Sequence, residues 1–444
     1  MPTLSIAESI RVIEGLEAKP EWSFSGKTTS DTSSLTHSYH RYPAKFIPQL
    51  VDKLIDEYTV EGDLVVDPFG GCGTTLVESK LRGRRGVAFD INPIAKLITQ
   101  TKITPIEPYV LEKSHQQFLV AYESQIGEKI THHERLKYWF DDETLGKLDR
   151  IYSAISAISN NDAKRFYLCA FSHNLKNSSR WLMKSIKPTI DRNKKITEPI
   201  VTFNRHLTQM TKKNTLFVER LKATGNLASY SKVYKTDSTK RWPVDDGTID
   251  LVITSPPYVT SYEYADLHQL SLLWFGSDSN QFKSWHNKFT KEFTDFRREF
   301  IGTYAKPQKL GDLNSDLAEK IVSELRQIDK SLAKDVANYF LDMKKVFERM
   351  HTGLKPDGIA SVIIGNTTLK GVSIRNAEVV VEQMLRDGFE NVDFIKRDIS
   401  SKVIAPWRDS STGKFTGLNN PNRHRIYEYE YVIVMRKPIS EPGI

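Results

Sequence analysis

The sequence is poor in cysteine, with only Cys72 and Cys169 among 444 residues. That excludes a disulfide-stapled scaffold and a cysteine zinc cluster, and it fits a reducing cytoplasm. Long apolar runs are also missing. No stretch approaches the ~20 residues of a membrane span. Glutamates interrupt the apolar start, MPTLSIAESIRVIEGLEA, which reads as an amphipathic helix and not as a signal peptide. His37 and His40 stand apart from other ligating residues, so no metal is expected. No internal repeat or low-complexity tract occurs. The length suffices for a large core and more than one lobe.

Acidic residues are scarce in one block. Lys164 to Arg241 holds 18 Lys/Arg and 4 Asp/Glu, a net of +14, whereas the whole chain carries +8, leaving −6 elsewhere. A positive excess confined to one region marks a polyanion-binding face. The blander reading is a solvated helix surface balanced by acidic neighbours in the fold.

Around this block the pattern alternates between strand and helix. Residues 18–38 are polar and read as a loop. YPAKFIPQLVDKLIDEY gives an extended start and then a helix with Ile47, Leu50, Val51, Leu54 and Ile55 on its apolar side. DLVVDPFGGCGTTLVESKLRG reads as strand, glycine turn and helix, and RRGVAFDINPIAKLITQ as strand, acidic end and helix. This βαβα order implies a parallel sheet. Helical periodicity dominates from 103 to 230. Strands resume at SKVYKTDS and IDLVITSPPY, a second polar insertion runs over 276–335, and the tail reads helix, KPDG turn, strand, helix, strand, strand.

DPFGGCGTT, residues 67–75, lies between a strand and a helix, where open α/β sheets bind ligands. A phosphate-cradling loop needs a lysine ahead of its closing Ser/Thr, and Cys72 and Gly73 stand there instead. A dinucleotide fingerprint would need a third glycine at 76, which is Leu76. S-adenosylmethionine fits the residue types. Small glycines admit its amino-acid tail, Asp67 can pair with its ammonium group, Asp90 can accept its ribose hydroxyls, and Asp237 can meet its adenine amine. Each aspartate alone reads first as a turn or helix cap; three at successive strand ends favour the ligand.

DPFGGCGTT together with TSPPY, residues 254–258, resembles the amino-methylating DNA methyltransferases, which modify exocyclic amines. HRYPAKFIP, residues 40–48, is similar to that family's additional cofactor-binding segment, and LKPDGIASVIIGN to a later strand of Rossmann-like methyltransferases. The resemblance implies an α/β fold: a Rossmann-like methyltransferase sheet with helices on both faces, interrupted by a mainly helical insertion and a second, smaller one. It implies S-adenosylmethionine held by Tyr42, Pro43, Lys45, Phe46, Asp67, Pro68, Phe69, Gly71, Gly73, Thr74, Thr75, Asp90, Asn92 and Asp237. The corresponding division is an N-terminal helix and loop (1–36), the cofactor-binding part of the catalytic domain (37–102), a basic helical insertion for target recognition (103–230), the proline corner (231–275), a second insertion (276–335) and the rest of the catalytic domain (336–444).

An exocyclic amine is a poor nucleophile because its lone pair is delocalised into the ring. In SPPY, the Ser255 side chain and the Pro256 carbonyl can accept its two N–H bonds and draw the nitrogen toward tetrahedral geometry. Pro256 and Pro257 stiffen that carbonyl and add no competing donor, and Tyr258 offers a ring to an extruded base. No covalent intermediate is required, so Cys72 reads as a packing residue. In the family, Ser at the first motif position goes with cytosine N4, Asp with adenine N6 and Asn with protein glutamine. The expectation is therefore cytosine-N4 methylation of double-stranded DNA. An adenine-N6 enzyme, an RNA amine methyltransferase and a catalytically inactive DNA-binding module are the alternatives. Phosphate contacts are expected from Lys176, Arg180, Lys184, Lys187, Arg192, Lys194 and Lys195. In the second insertion, Lys288, Lys291, Arg297 and Arg298 mix with Phe282, Phe289, Phe293, Phe296 and Phe300, as a strand-binding surface or a helix-packing stripe. The implied setting is restriction–modification, with a cognate restriction endonuclease as a further partner.

Overall fold

In the computed structural model, described over residues 4–43, 45–124, 130–259, 264–278, 293–304, 306–399, 407–409, 416–425 and 429–439, a seven-stranded sheet organises the chain. Its strands are β1 (Leu64–Asp67), β2 (Arg85–Asp90), β3 (Ser231–Lys235), β4 (Ile249–Thr254), β5 (Leu354–Ile364), β6 (Glu390–Asp398) and β7 (Tyr429–Arg436). The spatial order is β3-β2-β1-β4-β5-β7-β6. All neighbours pair in parallel except β7, which runs antiparallel to both β5 and β6. β1 and β4 lie side by side, Val65 against Leu251 and Val66 against Val252. The strand order reverses between them, so their carboxyl ends form the switch point at which such sheets bind ligands.

The period-2 alternation of a strand sends successive side chains to opposite faces, and here both faces are buried. Val65, Leu251, Ile253, Ile363, Val432 and Val434 pack with Leu50, Val51, Leu54 and Ile55 of helix α2 (Pro48–Tyr58). Val66, Val252, Ala360, Val362 and Ile433 face the other way, into a core shared with Val346, Phe347 and Val381. Each such valine is worth about 1.5–3 kcal/mol of burial, which is why apolar runs such as LVVD and DLVIT become central strands. An N-terminal helix, α1 (Ile6–Gly15), starts at a capping box of Ser5 and Glu8. Helix α3 (Thr74–Leu81) follows the glycine loop, and α4 (Pro93–Ile103) is capped by Asn92.

The helical insertion folds as helices α5 (Pro108–Ser124), α6 (Glu134–Trp139), α7 (Asp142–Ser156), α8 (Asn161–Ser178) and α9 (Pro199–Ala223), the basic block beginning in α8. Their apolar core is continuous with Tyr39, Cys72, Ile94 and Ile98, and with Leu270, Leu273, Trp274 and Phe275 of α10 (Gln269–Ser277). The helical unit thus grips the sheet from both sides of the proline corner in sequence. Helices α11 (Asp316–Ile328), α12 (Lys330–Gly353) and α13 (Asn376–Arg386) complete the fold.

Two local expectations are corrected. Residues 18–38 are not a plain loop: Pro20–Trp22, Thr29–Thr32 and Leu35–Ser38 form short helical turns that bury Trp22, Thr36 and His37. KPDG does not precede the strand but lies within β5, with Asp357 at φ +67° where the register against β4 shifts.

Candidate active site

The glycine loop is pressed against its neighbours. A Cβ at Gly70 would come within 2.7 Å of Ala88 Cβ, and one at Gly73, where φ is +79°, within 2.7 Å of Thr99 Cγ2. Only glycine allows this close approach and this left-handed backbone. Two carboxylates hold the loop. Asp67, 2% exposed, accepts from Phe69 N (3.0 Å) and Thr254 Oγ1 (2.9 Å) on Oδ1 and from Thr75 Oγ1 (2.8 Å) on Oδ2. Burial raises its pKa to about 6 even against these three donors, leaving Oδ2 with capacity for one more. Asp90 accepts from Gly71 N (2.9 Å) and Asn92 N (2.8 Å), and burial raises it to about 7. Neither carboxylate has a Lys or Arg ion-pair partner among the described residues.

The segment preceding the loop is brought to it unevenly. Tyr42 stands over Gly71, where an added Cβ would meet its hydroxyl at 3.3 Å. Pro43 is half-buried beside it in sequence. Lys45 turns its ammonium away, toward the carbonyls of Thr32 and His37 (3.5 and 3.4 Å), and Phe46 packs under the sheet with α2. Pro68 accepts a hydrogen bond from Ser238 through its carbonyl, tying the loop to the turn after β3, while Phe69 joins the core. Asp237 in that turn accepts from Thr239 N (2.9 Å) and Thr239 Oγ1 (2.8 Å), both on Oδ1. Thr74 and Cys72 are buried, the latter as packing. The Asn92 side chain is spent within the protein: Oδ1 caps α4 at Ile94 N (2.9 Å) and Nδ2 lies 3.2 Å from His268 Nδ1.

The proline corner leaves β4 directly after Thr254. Ser255 and Pro257 are half-buried and Pro256 is buried. Tyr258 donates to Glu430 Oε1 (3.0 Å) near the start of β7, and Glu430 pairs in turn with Arg397 (2.6 Å), whose Nε donates to Trp22 O (2.8 Å). Thr254, Glu430 and His268 are the residues that sequence reasoning did not assign; Thr254 is quoted within TSPPY, but its partner is visible only in three dimensions.

The basic loop between α8 and α9 folds around Trp181, which is stacked on Trp139 at 5.2 Å and donates Nε1–H to Ser185 O (3.2 Å). Two of the expected phosphate contacts have partners within the loop. Lys194 gives its ammonium to the carbonyls of Lys176, Ser179 and Trp181 (2.7, 2.7 and 3.1 Å), and Lys176 donates to Ser185 O (2.8 Å) beneath the Trp181 ring. Burial lowers both to about 8. These half-buried amines close the loop through its carbonyls. Arg180 lies 3.5 Å from Asp141. Lys184, Lys187, Arg192 and Lys195 are exposed and have no ion-pair partner among the described residues. In the second insertion, Phe296 and Phe300 are buried as packing residues, and Arg297 pairs with Asp266 (2.8 Å). Lys288, Lys291, Phe282, Phe289 and the Phe293 side chain lie outside the described residues.

These donors and acceptors suit a ligand with an ammonium group and a diol: two carboxylates without Lys or Arg ion-pair partners among the described residues, and glycine backbone. No helix among the described residues is long and apolar enough to cross a membrane, and they contain no cluster of three or more His, Cys, Asp or Glu able to hold a metal.

Comparison with known proteins agrees with that reading. Residues 10–101 match the N6/N4 methyltransferase family model, described as DNA methylase. The type II methyltransferase M.MvaI of Kocuria varians is 26% identical over 437 residues, spanning 93% of each chain. M.BsoBI of Geobacillus stearothermophilus is 26% identical over 384 residues, 76% of this chain and 75% of that protein. M.MjaII of Methanocaldococcus jannaschii is 34% identical over 102 residues, 22% of this chain and 19% of that protein. With the switch-point loop and the proline corner in place, the chain is similar to the amino-methylating DNA methyltransferases in its cofactor-binding part and to type II methyltransferases along most of its length, and its cofactor is S-adenosylmethionine.

Proposed function

We propose that this protein methylates the exocyclic N4 of cytosine in duplex DNA at a specific site, in a restriction–modification setting. The observation that carries the reading is the hydrogen bond between Thr254 and Asp67, which fixes the start of the proline corner against the glycine loop. An amine held at Ser255 is thereby presented to a donor lying on residues 67–75. When bound, S-adenosylmethionine supplies a methyl group on a sulfonium sulfur. The chain's own residues do the rest. Asp67 would hold the donor's ammonium, Asp90 its ribose hydroxyls and Asp237 its adenine amine. Ser255 Oγ and the Pro256 carbonyl accept the two N–H bonds of the cytosine amine, concentrating its lone pair on nitrogen. Transfer would form the N–C bond as the C–S bond breaks, leaving that electron pair on sulfur, and the surplus proton would pass from the alkylated nitrogen to water. Positioning this in-line transfer supplies most of the rate enhancement.

Extrusion of the base brings it beside Tyr258, and the exposed Lys184, Lys187, Arg192 and Lys195 grip phosphates. Ser255 at the first motif position favours cytosine over adenine. Likeness to the type II methyltransferase M.MvaI along nearly the whole chain supports the restriction–modification setting, with a nuclease of the same site as the further partner.

The test is transfer of labelled methyl to duplex DNA. Ser255→Ala should lower turnover about 10²–10³-fold, as loss of one acceptor in the transition state does, with donor affinity within about 2-fold of wild type. Unchanged turnover would remove Ser255 from the mechanism.

A further inference from the structure

His268 lies ten positions beyond Tyr258 in sequence, immediately before α10, and is 5% exposed. It touches both walls of the donor pocket. Its ring faces that of Tyr42 with centroids 5.3 Å apart, and Tyr42 covers Gly71. Its Nδ1 lies 3.2 Å from Asn92 Nδ2. The direction of that contact is fixed from the other end. Asn92 Oδ1 accepts from Ile94 N, so the amide presents its N–H to His268, and Nδ1 must be the acceptor with the ring proton on Nε2. Burial holds the imidazole neutral, at about 4, which preserves this acceptor. Asn92 then fixes Asp90, because its backbone N–H supplies one of the two hydrogen bonds on that carboxylate.

The titratable rings against His268 are those of Tyr42 and His40. His40 sits at 5.7 Å between ring centroids, itself held neutral by burial and bonded to Ser172 of α8 (3.0 Å). Ser172 meets Ser271 of α10 at 2.7 Å, so the element carrying His268 is fastened to the helical unit as well as to the sheet.

We infer that His268 is a positioning residue for the methyl donor: it orients the Asn92 amide and, through it, the Asp90 carboxylate that receives the donor's ribose. A residue encoded beyond the proline corner thereby controls the pocket encoded before it. This rests on the reading of the Asp67–Asp90 pocket as the donor site. Asn92 alone would not suffice, since an amide capped on one side and unpaired on the other is free to turn, and a buried unpaired N–H is costly.

The experiment is calorimetric titration of the full-length protein with S-adenosylhomocysteine, alongside thermal melting without ligand. His268→Ala should weaken binding about 10-fold, the cost of one unpaired buried donor. His268→Asn, whose Oδ1 falls near the position of Nδ1, should restore most of the loss. His268→Gln, which reaches the position of Nε2, should not. In turnover assays the Ala variant should raise KM for the donor with kcat changed less than about 2-fold. Equal affinity for all four proteins would overturn the inference, as would Asn and Gln variants that weaken binding alike in proportion to their melting temperatures. If wild type itself fails to bind the probe, the donor-site reading fails instead.

Discussion

Tyr258 Oη donates to Glu430 Oε1 at 3.0 Å, joining the last residue of the proline corner to a strand 172 positions away. The bond fixes the tilt of the ring, and Glu430 is itself fixed by Arg397, only 4% exposed. Two variants separate ring from hydroxyl. Tyr258→Phe keeps the stacking face and should retain turnover within about 5-fold, whereas Tyr258→Ala removes the platform for an extruded base, worth about 1–3 kcal/mol, and should lose more than about 10-fold. Steady-state rates on duplex DNA check this.

Removing the carboxylate from the same chain is a stability experiment. Glu430→Ala leaves the Arg397 guanidinium buried without its counter-ion, at a cost of about 3–5 kcal/mol. Denaturant titration should show that loss. A change below about 1 kcal/mol would mean that Arg397 finds another partner.

The Thr254–Asp67 bond predicts a different outcome. Thr254→Val keeps the volume but withdraws one of three donors from a buried carboxylate. Stability should fall by about 1–3 kcal/mol, and turnover should fall with it because the corner is no longer fixed to the loop. Melting and turnover measured on the same preparation check both.

Asp90 predicts a pH dependence of donor affinity. Its pKa is raised by burial to about 7, so the free protein holds a proton there at mildly acidic pH. An acid raised on folding contributes stability that is full below the unfolded value near 4 and is lost as pH rises through about 7. Donor binding runs the other way, since ribose hydroxyls need the carboxylate. Affinity for S-adenosylhomocysteine should be about 10-fold weaker at pH ~6 than at pH ~8. Asp90→Asn should bind weakly at both pH values, since its amide can accept from only one of Gly71 N and Asn92 N. Subtracting the variant's pH profile isolates Asp90 from Asp67, which titrates nearby at about 6.

In the basic loop, position decides function. Replacing Lys184, Lys187, Arg192 and Lys195 together by Ala should leave melting unchanged, weaken DNA binding and flatten its salt dependence by about 0.9 in log–log slope per lost phosphate contact. Lys194→Ala should lower the melting temperature first, because three carbonyls lose their donor. Filter binding across a salt series, with melts in parallel, distinguishes them.

How much of this was legible in the sequence depends on the range of the interaction. The strands β1 and β4 announce themselves as apolar runs, and the glycine loop and proline corner announce themselves by residue types with few other uses. Their adjacency follows from strand order, which local pattern implies only through the resemblance. Lys194 and Lys176 carry the same charge as Lys184 and Lys187, and nothing local to them shows that their amines fold inward around Trp181. His40 and His37 read as isolated imidazoles, yet His40 joins His173, His206 and His268 in the interior, and His37 meets the buried Glu78 at 2.6 Å. Each partner lies tens to hundreds of positions distant, beyond the reach of periodicity.

The most direct test of the account is mass spectrometry of nucleosides from duplex DNA incubated with the protein and isotopically labelled S-adenosylmethionine. The account predicts label in N4-methylcytosine, at one sequence context, and its loss with Ser255→Ala. Label in N6-methyladenine would contradict the cytosine assignment, and label confined to RNA, or absent from every nucleoside, would contradict the proposal as a whole.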